Sequence, residues 1–554
     1  CQSVTGVQTC ALPISACSNN ALASVGNVTV SAPGFTLAGQ ALTLNGNLCC
    51  AVASGQTVWK IPTTLGTASR IASASGGSLL LAETLDNGGH PLSIEGDGSV
   101  TLSAPVSGSG GLAKSGAGTL ALAATNTYSG GTVLNAGSLT IGNGRALGDG
   151  PLAVNLSAGA TFLTVANTAA VVLANAIALP APPSAQTYSL VKNASSASSG
   201  TELTLNGVLS GGNANATLQL NSSAVSDATT TYRLNAANTF RATVNLNRGA
   251  VVVGHPQGLG DAANLICLNG NGNTALGDLR FVVSMTLPNP VQLVNAQSPI
   301  STDTNAVVLA GPVSGGNMNK LGSGALTLLG TNTYSGWTTV GNGTLRIAGA
   351  GVLGGGTYAG AVTNNGALDF SGSAMQTLNG VVSGSGALSK SGTGVLTLGN
   401  ANTYSGATTV SGGTLSVATL ADGGSPSGIG ASSGAAANLV IGGGTLRYTG
   451  GSVSSDRGFT LGSGGGTVNV SAAGQTLTLS GKAAGAAAFA KAGAGNLAFS
   501  ATNALDAVEN VTVAVGDLQV GAWKWGSART NSILSGATFT STGSVQIPAS
   551  IGIT

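Results

Sequence analysis

The sequence predicts an all-β protein, a right-handed parallel β-helix (β-solenoid) running as an elongated repeat array. Three observations carry that expectation. The first is composition: glycine supplies 89 of 554 residues and charged residues only 6%, while hydrophobic residues reach 42%, far from the roughly 25% charged residues of ordinary globular chains. The second is a unit of about two dozen residues that recurs along the chain. The third is that the unit's apolar residues alternate with polar ones, the period of a strand with one face inward.

Taken in chain order, the first stretch is CQSVTGVQTCALPIS. It has no basic start and no continuous apolar run, so it is not a signal peptide. Val4 to Ile14 looks like a translated sequencing-library adapter, and residues 1–15 are set aside as an artefact. Residues 16–100 read as N-terminal β-rich coils. Their cysteines are Cys17, Cys49 and Cys50, with Cys267 further on. Adjacent Cys49-Cys50 is not a metal or redox spacing; a disulfide from Cys17 to Cys49 or Cys50, or buried free thiols, are the two alternatives.

Residues 101–520 form the main array, with repeats near 114–142, 232–254, 320–347, 390–417 and 491–520. The clearest copy is GVLTLGNANTYSGATTVSGGTLSV from Gly394. Others are GTLALAATNTYSGGTVLNAGSLTI from Gly118, GALTLLGTNTYSGWTTVGNGTLRI from Gly324, and a degenerate YRLNAANTFRATVNLNRGAVVV from Tyr232. The register mark is an aromatic: Tyr128, Phe240, Tyr334 and Tyr404. An apolar residue stands six later at Leu134, Leu246, Val340 and Val410, and another eleven later at Leu139, Val251, Leu345 and Leu415. Lys114, Lys320 and Lys390 each precede the aromatic by fourteen, and Lys491 precedes Leu505 by the same step in a worn copy. Because these lysines precede turns, they read as solvated corner residues.

Each copy reads as three short strands. Leu396 and Leu398 alternate with polar neighbours, Asn402 to Gly406 supplies turn chemistry, Thr408 to Val410 is β-branched, and Leu415 with Val417 closes the coil. One such coil has no partner for its apolar side, so many must stack, pairing backbone groups with the coils above and below. Coils of roughly 20 to 25 residues would number on the order of 25 and make a rod of roughly 110 to 130 Å at about 4.8 Å per coil. Irregular stretches between copies, such as 255–310, are where function is expected. Residues 521–554, with the Trp523 and Trp525 pair, read as a C-terminal coil or cap with no membrane barrel.

Several chemistries are disfavoured. Eighteen Lys plus Arg spread along the chain, for a net charge of +2, make no basic stripe for nucleic acid or lipid. The longest apolar-looking run, Ala169 to Leu179, contains Asn175 and is short of the roughly 20 residues a membrane helix needs. Glycine-rich stretches such as GNGNTA from Gly270 lack the strand-to-helix context of a phosphate loop. His90 and His255 both precede proline, as turn residues do, and no serine-protease constellation accompanies them. The 16 Asp plus Glu are widely spread; Glu95 with Asp97, near Asp86, is the closest pair, and an EGDG turn explains it. No catalytic, metal-binding or cofactor-binding residue is assigned.

The unit G-x-G-x-L-x-L-x-x-x-N-T-Y-S-G-x-T-x-V-x-x-G-x-L, matched nearly throughout by Gly394 to Val417, resembles the passenger-associated transport repeat of bacterial autotransporters. The copy from Tyr232 departs from it in Phe240-Arg241-Ala242. The resemblance implies a passenger exported across the outer membrane of a Gram-negative bacterium and displayed or secreted. It also implies a membrane barrel elsewhere in the protein, repeats that aid export, and no catalytic residues. The resulting expectation is a fragment of a non-enzymatic stalk or adhesin, its partner a host or bacterial surface glycan or protein. The alternative is an exported polysaccharide-degrading enzyme on the same scaffold, which requires convergent carboxylates.

Overall fold

The computed structural model describes residues 16–19, 22–166, 169–192, 202–220, 230–247, 249–269, 278–294, 298–502, 504–521, 523–524, 531–542 and 545–546. The adapter-like stretch at 1–15 and the side chains of Trp523 and Trp525 lie outside the described residues. Two compact units, residues 1–280 and 281–554, divide the chain. Among the described residues the only helical segments are the 3-10 turns Gly354–Gly356 and Ala436–Asn438. None is long and apolar enough to cross a membrane.

The first unit is a parallel β-helix. One side stacks Leu48–Cys50, Ser69–Ser73, Leu92–Glu95, Leu112–Lys114, Thr132–Leu134 and Leu152–Val154, each parallel to the next. A second stacks Gln56–Lys60, Ser78–Leu81, Ser99–Leu102, Thr119–Leu122 and Ser138–Ile141. A third stacks Ser24–Val25, Leu42–Leu44, Thr63–Leu65, Leu85–Asp86 and Val106–Ser107. Period-two alternation turns every second residue inward, and parallel register places like on like. Leu79, Val100, Leu120 and Leu139 therefore form one continuous column, all buried. Each full burial of such a side chain stabilises by about 1.5–3 kcal/mol, which no isolated coil could realise.

The second unit repeats the plan. Ala306–Leu309, Ala325–Leu328, Thr344–Ile347, Ala367–Phe370, Ala387–Lys390 and Thr408–Val410 make one side. Another is Ser298–Ser301, Met318–Leu321, Thr338–Val340 and Val362–Asn364. A third runs from Gln376–Leu378 through Val395–Leu398, Thr414–Val417, Thr445–Tyr448 and Gly466–Val470 to Phe489–Ala492.

The all-β, parallel, stacked-coil expectation holds. Residues 255–310, expected to be irregular, are largely ordinary coil where described: Ile266–Leu268, Met285–Leu287, Val291–Leu293, Ser298–Ser301 and Ala306–Leu309 are all strands. The true excursion is at 418–438, between Thr414–Val417 and Leu439–Ile441. Cys49 and Cys50 carry free thiols, so of the two cysteine alternatives no disulfide forms at either. Cys50 is buried, and its sulfur lies 3.3 Å from Thr57 Oγ1.

Candidate functional site

The repeated residues converge on the interior. Tyr128, Phe240, Tyr334 and Tyr404 are all fully buried, as are the apolar partners six and eleven residues later. Each aromatic itself lies outside a strand. The segment instead lies on the coil below through its amides, with Thr127 and Ser129 donating to the carbonyls of Val106 and Gly108, and Thr403 and Ser405 to those of Val382 and Gly384.

The Asn two residues before the aromatic was read as local turn chemistry; Asn332 and Asn402 do bond Gly330 O and Asn400 O nearby, but the bonds that all four copies share run between coils. Asn126 Oδ1 accepts from the Val106 amide at 2.8 Å, while its Nδ2 donates to Ala146 O in the coil above at 2.5 Å. Asn238, Asn332 and Asn402 do the same, each taking an amide from the coil below (Leu209, Val313, Val382) and giving to a carbonyl above (Gly258, Val352, Gly428). A side-chain amide thus stands in for a missing strand peptide, satisfying groups that would otherwise be buried unpaired.

The Tyr hydroxyl is paired too. Tyr128 Oη and Thr132 Oγ1 are 2.6 Å apart, Tyr334 and Thr338 3.0 Å, and Tyr404 and Thr408 2.7 Å. In the degenerate copy Phe240 faces this role without a hydroxyl, and Val244 stands where the other copies have Thr. Both halves of the polar pair are exchanged together for apolar residues of like shape. Burial drives the phenols upward, Tyr128 to about 12 and Tyr358 to about 12, with Tyr404 higher still.

The lysines overturn the expectation of solvated corners. Lys114, Lys320, Lys390 and Lys491 are buried at inward positions in the last two residues of their strands, Lys114 between Ile94 and Leu134 in the stack, Lys390 between Phe370 and Val410. The aliphatic stem continues the apolar column and the ammonium turns under the corner, where carbonyls converge. Lys114 Nζ donates to Ser115 O (3.0 Å), Gly116 O (2.6 Å) and, in the next coil, Ala136 O (3.4 Å). Lys320 Nζ meets Leu321 O, Gly322 O, Gly324 O, Asn342 O of the next coil and Thr302 Oγ1, at 2.6–3.1 Å. Lys491 Nζ meets Ala492 O, Gly493 O and Val515 O at 2.7–3.0 Å, and Lys390 Nζ meets Gly392 O. Every partner is neutral. Burial pulls Lys320 and Lys491 down to about 8, an effect the carbonyl oxygens oppose by favouring the charged form.

A further member escaped the sequence reading. Above each aromatic sits a turn with a buried Leu or Ile followed by Gly: Leu147-Gly148, Leu259-Gly260, Leu353-Gly354 and Ile429-Gly430. Gly148 has φ +66°, and a Cβ there would lie 2.3 Å from Tyr128 O, so the position admits glycine alone. The spacing from aromatic to Leu is the same in three copies, and extending the alignment past the last strand exposes it.

Three coils match the family description Passenger-associated-transport-repeat, over residues 112–141, 318–347 and 388–417. The chain carries passenger-associated transport repeats. It is also 34% identical over 530 residues to a protein named adhesin BmaC autotransporter, from Brucella suis biovar 1 (strain 1330), a match covering 85% of this chain and 15% of that protein's length. No solved structure matches.

The residues of the passenger-associated transport repeat point inward, so chemistry toward a partner must come from the outer faces. In the first unit a groove of about 440 Å³ crosses successive coils beside the repeat, lined by Arg70, Pro91, Ser93, Gly111, Ala113 and Val133 among others. Arg70 is paired with Glu95, which also accepts from Ser93 Oγ at 3.0 Å. Asp97 accepts the Ala117 amide and Asp86 the Gly88 amide, so the carboxylates read from the sequence serve corners. His90 and His255 are half-buried turn residues, and His255 Nδ1 accepts the Gln257 amide.

At the 418–438 excursion, buried Arg457 donates to Ala421 O (2.8 Å), Gly430 O (2.8 Å) and Ser432 Oγ (3.2 Å), folding the loop onto the coil. Asp422 and Asp456 meet there, accepting the amides of Asp456 and Gly423. Among the described residues no three His, Cys, Asp or Glu side chains gather as a metal site would require.

Proposed function

We propose that this chain is part of an autotransporter passenger, displayed on or released from the surface of a Gram-negative bacterium, and that it works as a non-catalytic stalk or adhesin. An outer-membrane barrel elsewhere in the protein would be its anchor, and a surface glycan or protein its partner. The observation that carries the reading is the inward direction of the whole repeat signature. Lys and Asn are spent on joining coils and the Tyr–Thr pair on filling the interior, which is what a scaffold for display and export needs and what an active site does not. The adhesin relative supports the same reading at family level.

The test is display of the complete reading frame on a Gram-negative host that does not itself adhere. Adherence or cell-to-cell clumping that disappears when residues 101–520 are deleted in frame supports the proposal, provided the remainder still reaches the surface. Full adherence by that deletion would overturn it. An enzyme on this scaffold would need convergent carboxylates, and Asp422 with Asp456 at the excursion is the pair to test, so polysaccharide cleavage abolished by Asp456→Asn would establish the alternative.

A further inference from the structure

A solenoid of alternating residues has a weakness in its own pattern. Slipping one strand by a single residue turns its apolar set outward, which is forbidden by energy, but a slip of two residues puts apolar over apolar again. Neighbouring strands such as Thr476–Leu479 (TLTL) and Asn496–Phe499 (NLAF) would keep their inward pattern after such a slip. Something that is not apolar must therefore choose among registers. A buried ammonium does so, because its position is fixed by convergent oxygens rather than by shape.

We propose that Lys114, Lys320 and Lys491 are register locks, each fully bonded only when the coil above brings one particular corner carbonyl over the ammonium. Those carbonyls are Ala136 O, Asn342 O and Val515 O. In each case the oxygens of the lysine's own corner already crowd the same point, Gly116, Gly322 and Gly493 among them. Without a cation between them, like-oriented carbonyl dipoles face one another in the dry interior, so a slipped coil loses a bond and leaves oxygens unpaired. The carboxylates whose charge acts on these ammoniums, Asp97 on Lys114 and Asp517 on Lys491, are bonded elsewhere and do not replace the missing oxygen. Lys390, bonded to its own corner at Gly392, is outside the proposal. The inference concerns how coils stack rather than what the surface binds, so a chain that adhered to nothing would leave it standing.

The protein contains its own control. The amides of Asn135, Gly341 and Ala514 donate to the carbonyls of Lys114, Lys320 and Lys491; the amides of Asn155, Asn365 and Gly442 make the same bond, of like length, to Leu134, Val340 and Val410. Hydrogen exchange of the whole chain, read at single-amide resolution, is expected to be at least tenfold slower in the first set than in the second. Exchange of the two sets within threefold of one another overturns the proposal. In Lys320→Met, Gly341 should accelerate at least tenfold while Asn135, in the other unit, stays within twofold; an unchanged Gly341 also overturns it. The wild-type comparison decides alone where the variant does not fold.

Discussion

The buried lysines and tyrosines set opposite slopes on stability against pH. Lys320 and Lys491 release their protons near 8 in the fold and near the ordinary 10.5 when unfolded. Between those values the unfolded chain binds more protons, so stability rises with pH. The phenols act above that window: Tyr128 and Tyr358 are held neutral to about 12 against an ordinary 10, so above pH 10 the unfolded chain sheds protons first and stability falls. A urea midpoint measured from pH 7 to 11.5 should therefore climb from about 8, peak near 10 and drop. A midpoint flat from pH 8 to about 10 and falling above it would mean that the carbonyl oxygens offset desolvation and hold the ammoniums charged. The hydroxyl pair offers a second residue-level test. Tyr128→Phe and Thr132→Val should each cost about 1–2 kcal/mol by orphaning a buried hydroxyl. The double variant should cost no more than the worse single one, because it reproduces the Phe240 and Val244 arrangement; simple additivity in a urea-denaturation cycle would refute the pairing.

At the level of the coil, the strands were legible from sequence and the joints were not. Period-two alternation placed Leu134, Leu139, Val340, Leu345, Val410 and Leu415 inside, since an apolar column needs no information beyond its own pattern. The lysines were misplaced because a lysine before a glycine turn is ordinarily solvated. Only the three-dimensional corner reveals that Gly116 O and Gly322 O point inward and need a donor. Asn126 and its equivalents were only half read for a related reason: the partners they have in common stand one coil away, out of reach of any local rule. The groove beside Arg70 and the Arg457-pinned loop have no repeating signature, so nothing in the sequence announced them. These joints can be weighed separately. Asn332→Leu should cost about 1–3 kcal/mol, because the buried Val313 amide loses its partner, while the Val352 carbonyl keeps the backbone amide of residue 332. Gly148→Ala should destabilise well beyond Gly474→Ala. Both have positive φ, but nothing lies within 4 Å of the added methyl at Gly474, which leaves only the backbone cost of about 1–2 kcal/mol there. Equal losses in thermal unfolding would show that crowding against Tyr128 is unimportant.

For the whole chain the decisive property is how little charge it carries. With 18 basic and 16 acidic residues, the adherence proposed for it should change less than twofold between 0.05 and 0.5 M salt, because there is no concentrated charge for ions to screen. A steep fall with salt would point to an electrostatic partner instead. The neutral partners of the lysines carry a consequence at the other end of the pH scale. Proteins that tie buried cations to carboxylates come apart in acid, when the carboxylates take up protons. Here backbone oxygens do the holding, and they do not titrate. Circular dichroism of the chain should be the same at pH 3 as at pH 7, and a surface protein built this way would keep its shape in acid surroundings that dismantle its neighbours.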